Sequence, residues 1–279
     1  MRITCWGSRG SIPVSGPDFN RYGGDTTCLE IRSADDDILI VDAGTGIRAL
    51  GNMLFSQNRR RFNFLFTHAH WDHLIGFPFF KPLYCENAEL LIFKCPFPNR
   101  YVTKMISSVM APPHFPLRFS DLKAQITYLD ACPGRFAAGS LAITPIALNH
   151  PNAGFGYKFS ENGRSFVFLT DNELKVKHPK GLPYSAYLDF VRDADLLLHD
   201  AEYTPAEHLQ KIEWGHSAYT DALELALQAG VRRLGLFHHN QERTDAQIDA
   251  IVADCRQRIA AAGKTLECFA VAVGMGFDL

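Results

Sequence analysis

An α/β architecture is the fold class that this 279-residue sequence predicts, and three observations carry the prediction. Short apolar runs alternate along the chain with longer amphipathic ones. The composition, 47% hydrophobic and 21% charged, is that of an ordinary globular chain with apolar material for a sizeable core. Polar, chemistry-bearing residues follow directly on several of the apolar runs, the pattern of open α/β folds whose sites lie at strand ends.

Taken in order, residues 38–41 (Ile38-Leu39-Ile40-Val41) and 62–66 are the first two buried strands. Residues 141–146 form another, in which Pro145 marks an edge or a bulge because proline cannot donate to a ladder. Residues 166–169 and 195–198 are two further buried strands. Residues 221–230 predict a helix stopped by Gly230. The tail predicts a longer helix. Thr244-Asp245-Ala246-Gln247 has the form of a capping box, and Ile248, Ile251, Val252, Cys255 and Ile259 then fall on one face. The stretch 95–121 is irregular, with Pro96, Pro98, Pro112, Pro113 and Pro116. It is either a surface excursion or a flap over an active site. No low-complexity linker or internal repeat divides the chain, so residues 1–279 are expected to form one domain.

Charge and cysteine content narrow the function. Lys and Arg number 28 against 30 Asp and Glu, a formal net charge of −2. Binders of long nucleic acid carry a basic excess or stripe, and only Arg59-Arg60-Arg61 approaches one. Long nucleic acid is therefore not the expected partner. No apolar run nears the ~20 residues of a membrane span, and Met1 to Cys5 lead into strand-like sequence without a signal-peptide core. The 7 cysteines are scattered and include no C-x-x-C, which fits reduced thiols and a cytoplasmic location. A homodimer is compatible with all of this.

The strand at 62–66 runs straight into Thr67-His68-Ala69-His70-Trp71-Asp72-His73. Four potential ligands within six positions, H-x-H-x-D-H, point to metal rather than to core packing. Residues two apart on an extended segment share a face, so His68 and His70 can grip one ion together. A turn into helix at Asp72 would swing Asp72 and His73 towards a second. Imidazoles with a few carboxylates suit zinc, with manganese or iron as the other choices. His150, Asp171 and His238 each follow an apolar strand in the same way. With them, two ion sites can be completed from several strand ends.

This ordered set resembles that of the metallo-β-lactamase superfamily of binuclear metal hydrolases. Trp6-Gly7-Ser8-Arg9-Gly10-Ser11-Ile12-Pro13 and Val41-Asp42-Ala43-Gly44-Thr45-Gly46 resemble its early elements. Gly215-His216-Ser217 resembles the H-S-T motif, and His199-Asp200-Ala201 the H-E-A motif, of the phosphodiesterase branch that holds ribonuclease Z and the cyclic-phosphate diesterases. The resemblance implies an αββα sandwich with two divalent ions at one edge. It also implies that His68, His70 and His150 hold the first ion, that Asp72, His73 and His238 hold the second, and that Asp171 bridges. His239 competes with His238, since one step along a strand turns a side chain to the other face, and His238 is preferred. Asp42 is expected to support a metal-bound imidazole.

His216 bears on the reaction. A leaving alkoxide needs a proton, and a histidine off the metals can give it when its pKa lies near the working pH. Asp200 is its expected carboxylate partner, and Ser217 is expected to begin the helix behind. The catalytic set is thus His216, Asp200 and Asp72. His199 is expected to be structural or supporting, and His114, His178 and His208 to have no chemical task. The expected reaction is hydrolysis of a phosphodiester, on a small cyclic nucleotide or cyclic sugar phosphate. Ribonuclease Z resembles this chain less closely between residues 150 and 171, where it carries a tRNA-gripping arm for which there is no room here. Hydrolysis of a carboxylic ester, thioester or lactam on the same metals is the rival chemistry.

Overall fold

The computed structural model describes residues 1–94, 101–129 and 134–279. Two seven-stranded sheets lie face to face. The first comprises β1 (Arg2–Gly7), β2 (Cys28–Arg32), β3 (Ile38–Val41), β4 (Arg61–Leu65), β5 (Glu89–Phe93), β6 (Gln125–Leu129) and β14 (Gly276–Asp278), ordered β14-β1-β2-β3-β4-β5-β6. The second comprises β7 (Phe136–Ala138), β8 (Leu141–Ala147), β9 (Phe155–Glu161), β10 (Arg164–Leu169), β11 (Leu196–Asp200), β12 (Arg233–Phe237) and β13 (Glu267–Ala270), ordered β13-β12-β11-β10-β9-β8-β7. Both are mixed. Parallel pairs run from β3 to β6 and from β10 to β13, with antiparallel strands completing each sheet.

Strand alternation builds four layers from this. In β3 the side chains of Leu39 and Val41 enter the core between the sheets, which they share with Phe159, Phe166 and Leu198 of the other sheet. Ile38 and Ile40 point the other way, onto Ile47, Leu50 and Leu54 of helix α1 (Ile47–Ser56). Val102, Met105 and Ile106 of α2 (Tyr101–Val109) belong to that same outer core. On the far side, Leu197, Leu234 and Leu236 pack against α3 (Tyr184–Val191), α5 (Tyr219–Gln228) and α6 (Asp245–Ala261). A one-turn α4 (Pro205–His208) follows β11. The fold is the αββα sandwich.

Several expectations meet their residues directly. The Thr244 hydroxyl accepts from Gln247 N, and the Gln247 side chain accepts from Thr244 N, so the capping box opens α6. Pro145 pairs with Tyr157 on β9, while the register with β7 ends at Ile143, so proline sits where the outer edge is unpaired. Other boundaries shift. Strand β11 extends to Asp200, and α5 begins at Tyr219 rather than 221. Ser217 does not begin that helix. Its hydroxyl donates to Asn172 O and its N–H to Asp200, which holds it in the preceding loop.

Residues 95–100 of the suspected flap lie outside the described residues. The rest of that stretch is partly ordered onto the core: Phe115 packs edge-on against Phe79, and Phe119 stacks on Phe77. Nothing long enough to carry an arm separates His150 from Asp171. Strands β9 and β10 are joined by Asn162 and Gly163, both at positive φ, a tight hairpin turn. Among the described residues no helix is long and apolar enough to cross a membrane.

Candidate metal centre

The strand ends deliver the chemistry. Asp42, Asp171 and His238 come just after β3, β10 and β12, and all three have positive φ, at 63°, 52° and 57°. Left-handed backbone is uncommon for such residues and persists where the surroundings enforce it, often at functional sites. Here it turns each side chain inward from the end of its strand. Residues 68–73 arrive from β4, and the short 3-10 turn Trp71–His73 sets the His73 ring 4.1 Å from that of His68.

Two sets of donor atoms that share Asp171 result, beside a third formed by Asp200, His216 and His238. The ligand atoms of His68, His70, His150 and Asp171 lie within 4.8 Å of one another, as do those of Asp72, His73, Asp171 and His238. Asp171 is common to both. Its Oδ2 lies 3.5 Å from His68 Nε2, 3.7 Å from His150 Nε2 and 3.4 Å from His238 Nε2, and its Oδ1 lies 3.3 Å from His73 Nε2. A tetrahedral ion with bonds of 2.0–2.1 Å separates its donors by roughly 3.3 Å, so this spacing fits such an ion.

The rings are also set in the tautomer that a metal needs. His73 Nδ1 donates to Asp42 Oδ2 at 2.8 Å. His68 Nδ1 donates to the Thr67 hydroxyl, which donates in turn to Asp42. His150 Nδ1 donates to Gly215 O, and His238 Nδ1 to Glu202 Oε2 at 3.0 Å. With each proton fixed on Nδ1, the lone pair on Nε2 faces the cluster. The buried Nε2 atoms of His68 and His73 make no hydrogen bond at all. Orphaned buried acceptors are rare unless something else binds them, and a divalent ion satisfies them. The donor set fits the metals that the resemblance implies.

Electrostatics divides the cluster. Burial holds His68 well below the ordinary histidine pKa and takes His150 down to about 3, so these imidazoles are neutral and ready to ligate. Burial also opposes charge on His73 and His238. There the carboxylates win: Asp72 and Asp171 raise His73, and Asp171, Asp72 and Glu202 raise His238. Burial likewise opposes ionisation of Asp72 and Asp171, yet the neighbouring histidines keep both well below the usual carboxylate range. The two buried carboxylates of the second set thus draw positive charge onto their neighbours, the part that a divalent ion would take there.

His238 and His239 part company, but not by strand alternation, because β12 ends at Phe237. The positive φ of His238 turns its ring to Asp72, 3.1 Å away. His239 instead has Nε2 donating to Val271 O and its ring against Tyr22, outside the cluster. His199 is buried against Asn172 and the Asp200 carbonyl, also outside. Asp42 supports both His73 and, through Thr67, His68.

The glycines of two motifs have a steric reason. A Cβ on Gly10 would lie 2.3 Å from His238 Nδ1, and one on Gly215, at φ 91°, would lie 2.1 Å from His150 Nδ1. Beside Gly10, Ser11 N donates to Asp72. The fully buried Arg9 guanidinium donates to the carbonyls of Gly23, Asn240 and Arg243, which ties the loop after His239 to the N-terminal segment.

His216 stands beside the donor cluster. Its ring lies 4.8 Å from that of His238 and 5.2 Å from that of His150. Nδ1 donates to Asp200 Oδ2 at 2.9 Å and also faces Glu202 Oε2 at 3.4 Å. Among the described residues nothing bonds Nε2. Burial pulls this imidazole down, but Glu202 and Asp200 together carry it up to about 9.

Two carboxylates escaped the sequence reading. Glu202 joins His238 to His216, and its place two residues from Asp200, on the same face of an extended segment, was the available signal. Glu173 is buried behind the site. It accepts from His178 Nε2 and His208 Nε2, both at 2.9 Å, and from the N–H groups of Glu213 and Gly215. His178 and His208 therefore do have a task, and nothing local in the sequence pairs them. They anchor the loop that presents His216. The triplet Arg59-Arg60-Arg61 is no polyanion patch: Arg59 pairs with Asp36, Arg61 with Glu89, and Arg60 lies over the Phe55 ring.

Comparison with known proteins agrees with this geometry. A family model described as a beta-lactamase superfamily domain matches residues 38–239. A curated relative named ribonuclease Z, from Haloarcula marismortui, is 23% identical across 92% of this chain and 91% of its own length. The metallo-beta-lactamase fold protein YhfI from Bacillus subtilis superposes with a TM-score of 0.68 at 16% identity, covering 99% of this chain and 98% of its own. A diphosphatase from the PhnP family gives 0.67 at 15% identity, covering 100% and 97%. The two solved structures share the fold.

Proposed function

Since this chain belongs to the beta-lactamase superfamily and is a hydrolase, as its ribonuclease Z relatives are, we propose that it cleaves a phosphodiester at a centre for two divalent ions. His68, His70 and His150 would hold one ion, Asp72, His73 and His238 the other, and Asp171 both. Zinc is the ion that imidazole and carboxylate donors favour, ahead of manganese and iron. Bound there, the pair would supply Lewis acidity towards the phosphoryl oxygen and an activated water, as two-metal sites do.

The chain's own residues do the rest. Asp42, Thr67, Gly215 and Glu202 fix the imidazoles so that no reorganisation is needed when substrate arrives. Asp200 and Glu202 keep a proton on His216 Nδ1 and the ring cationic, which leaves Nε2–H to protonate the departing oxygen. Ser11 N donates to Asp72 and holds it in place.

The observation that carries this reading is His216 itself, clamped to two carboxylates on one nitrogen and unbonded on the other, beside the ligand cluster. Attack on an ester, thioester or lactam has less use for such an acid. A small substrate, a cyclic nucleotide or cyclic sugar phosphate, suits the short hairpin between His150 and Asp171 and the absence of a basic excess. The ribonuclease Z name of the curated relatives favours a second reading, cleavage of RNA, and weighs against excluding long nucleic acid on net charge. Turnover of a panel of mono- and diesters, cyclic phosphates, a short RNA and a thioester, with zinc or manganese added, tests the choice. Cleavage of thioester but of no diester would overturn the reading.

A further inference from the structure

The metal cluster accounts for the phosphate of a substrate and leaves open what the rest of it is. The exposed apolar side chains bear on this. Two of the 3 tryptophans in the chain are open to solvent, Trp71 at 76% and Trp214 at 62%. The third, Trp6, is half-buried with Nε1 bonded to Glu30. Trp71 stands between His70 and Asp72, one from each ligand set, and Trp214 is two residues before His216. Consecutive Cα atoms are 3.8 Å apart, so both indoles are rooted within roughly 8 Å of site residues by chain connectivity alone. Ile12, 57% exposed, adjoins Ser11, whose N–H holds Asp72. Scattered exposed apolar residues need no explanation; what sets these two indoles apart is their place in the chain beside site residues.

The wall that carries Trp214 also carries charge. Lys211 Nζ lies 4.7 Å over the Tyr203 ring and 5.7 Å from that of Trp214, and the Tyr203 ring meets His216 edge-on at 5.8 Å. An ammonium between these rings complements a phosphate and braces Trp214. Hydrogen-bonding side chains would be the natural readers of a bare sugar phosphate. Wide, solvated indoles beside a phosphate site suit flat aromatic groups.

Resting on the phosphodiesterase reading, we propose that Trp71 and Trp214 form stacking surfaces for nucleobases, with Lys211 beside them for phosphate. The phosphodiester this centre takes is then a nucleotidyl one. A cyclic nucleotide and the end of an RNA strand share that chemistry.

Calorimetric binding to the metal-loaded protein tests it. Adenosine 5′-monophosphate and ribose 5-phosphate differ only in the base, and a stacked base changes affinity by about 5- to 150-fold. The nucleotide should bind tighter by that factor, and Trp71→Ala or Trp214→Ala should shrink the ratio. Both positions are exposed, so the variants should keep the fold. Equal affinities in the wild type, or a ratio that neither variant moves, would overturn the proposal. Parallel titrations with adenosine 3′,5′-cyclic phosphate and a short oligoadenylate assign the source: whichever loses more affinity in the variants is the ligand the indoles serve. Because binding needs no turnover, a base-dependent ratio without any diester cleavage would sink the reaction class alone. Cleavage of ethyl nitrophenyl phosphate with a ratio of one would sink the stacking surfaces alone.

Discussion

Removing the His216 imidazole should separate diesters by their leaving group. Its Nδ1 is 2.9 Å from Asp200 and 3.4 Å from Glu202, and these carboxylates overcome the effect of burial and raise it to about 9. At pH 7 such a ring is roughly 99% protonated, against roughly a quarter at the ordinary value near 6.5. General acid catalysis is typically worth about 10²–10⁴-fold. His216→Ala should therefore lower kcat by about that factor on a diester with an alkyl or ribose leaving group. On a nitrophenyl diester, whose leaving oxygen needs little protonation, the loss should be about tenfold or less. Metal content, read by elemental analysis, should not change. Asp200→Asn should give a milder loss with the same leaving-group dependence, since Glu202 remains. An acid works below its pKa and fails as pH rises through it. Weakening the carboxylate support lowers that pKa, so the basic limb of the pH–rate profile should move to lower pH. Equal losses on both leaving groups would show that His216 positions substrate or supports the fold, and would refute the reasoning.

Asp171 touches four imidazoles drawn from both donor sets. Asp171→Ala should accordingly empty both ion sites, whereas His68→Ala should mainly empty one; full occupancy in the Asp171 variant would end the shared-ligand assignment. His238→Ala and His239→Ala should differ in kind. The first should lose second-site metal and activity. The second leaves the Val271 carbonyl without its buried partner and should cost about 1–3 kcal/mol in urea denaturation with metal retained. Glu173→Ala strands two buried histidines and two backbone N–H groups, which predicts a loss of about 3–5 kcal/mol. It should also lower kcat, because Gly215 and His216 ride on that anchor. An unchanged denaturation midpoint would contradict it.

Much of the site was legible in the sequence because its residues sit on regular, local patterns. An apolar strand followed by H-x-H-x-D-H, and three further strands each ending in a polar residue, can be read without knowing how the strands pair. The capping box at Thr244 and the edge position of Pro145 were equally local. What escaped depends on long-range contact. Glu173 meets His208 and Gly215 across 35 and 42 residues, and nothing near any of them announces it. Glu202 acts on His238 across 36 residues. Strand alternation predicts that only one of His238 and His239 faces the cluster, whereas the backbone turn after Phe237 directs the two rings. Ser217 looked like a helix start because hydroxyl residues favour that place, but its hydroxyl is taken by Asn172 O, and the helix waits until Tyr219.

The central claim is that this His and Asp cluster binds divalent ions and uses them on phosphodiesters. Chelator-treated protein, titrated with zinc or manganese while hydrolysis of ethyl nitrophenyl phosphate and of a nitrophenyl acetate control is followed, tests it most directly. Diester cleavage should vanish on chelation and return in step with added metal, reaching its plateau at about two ions per chain. Diester cleavage indifferent to chelation, or metal-restored activity confined to the acetate, would contradict the account.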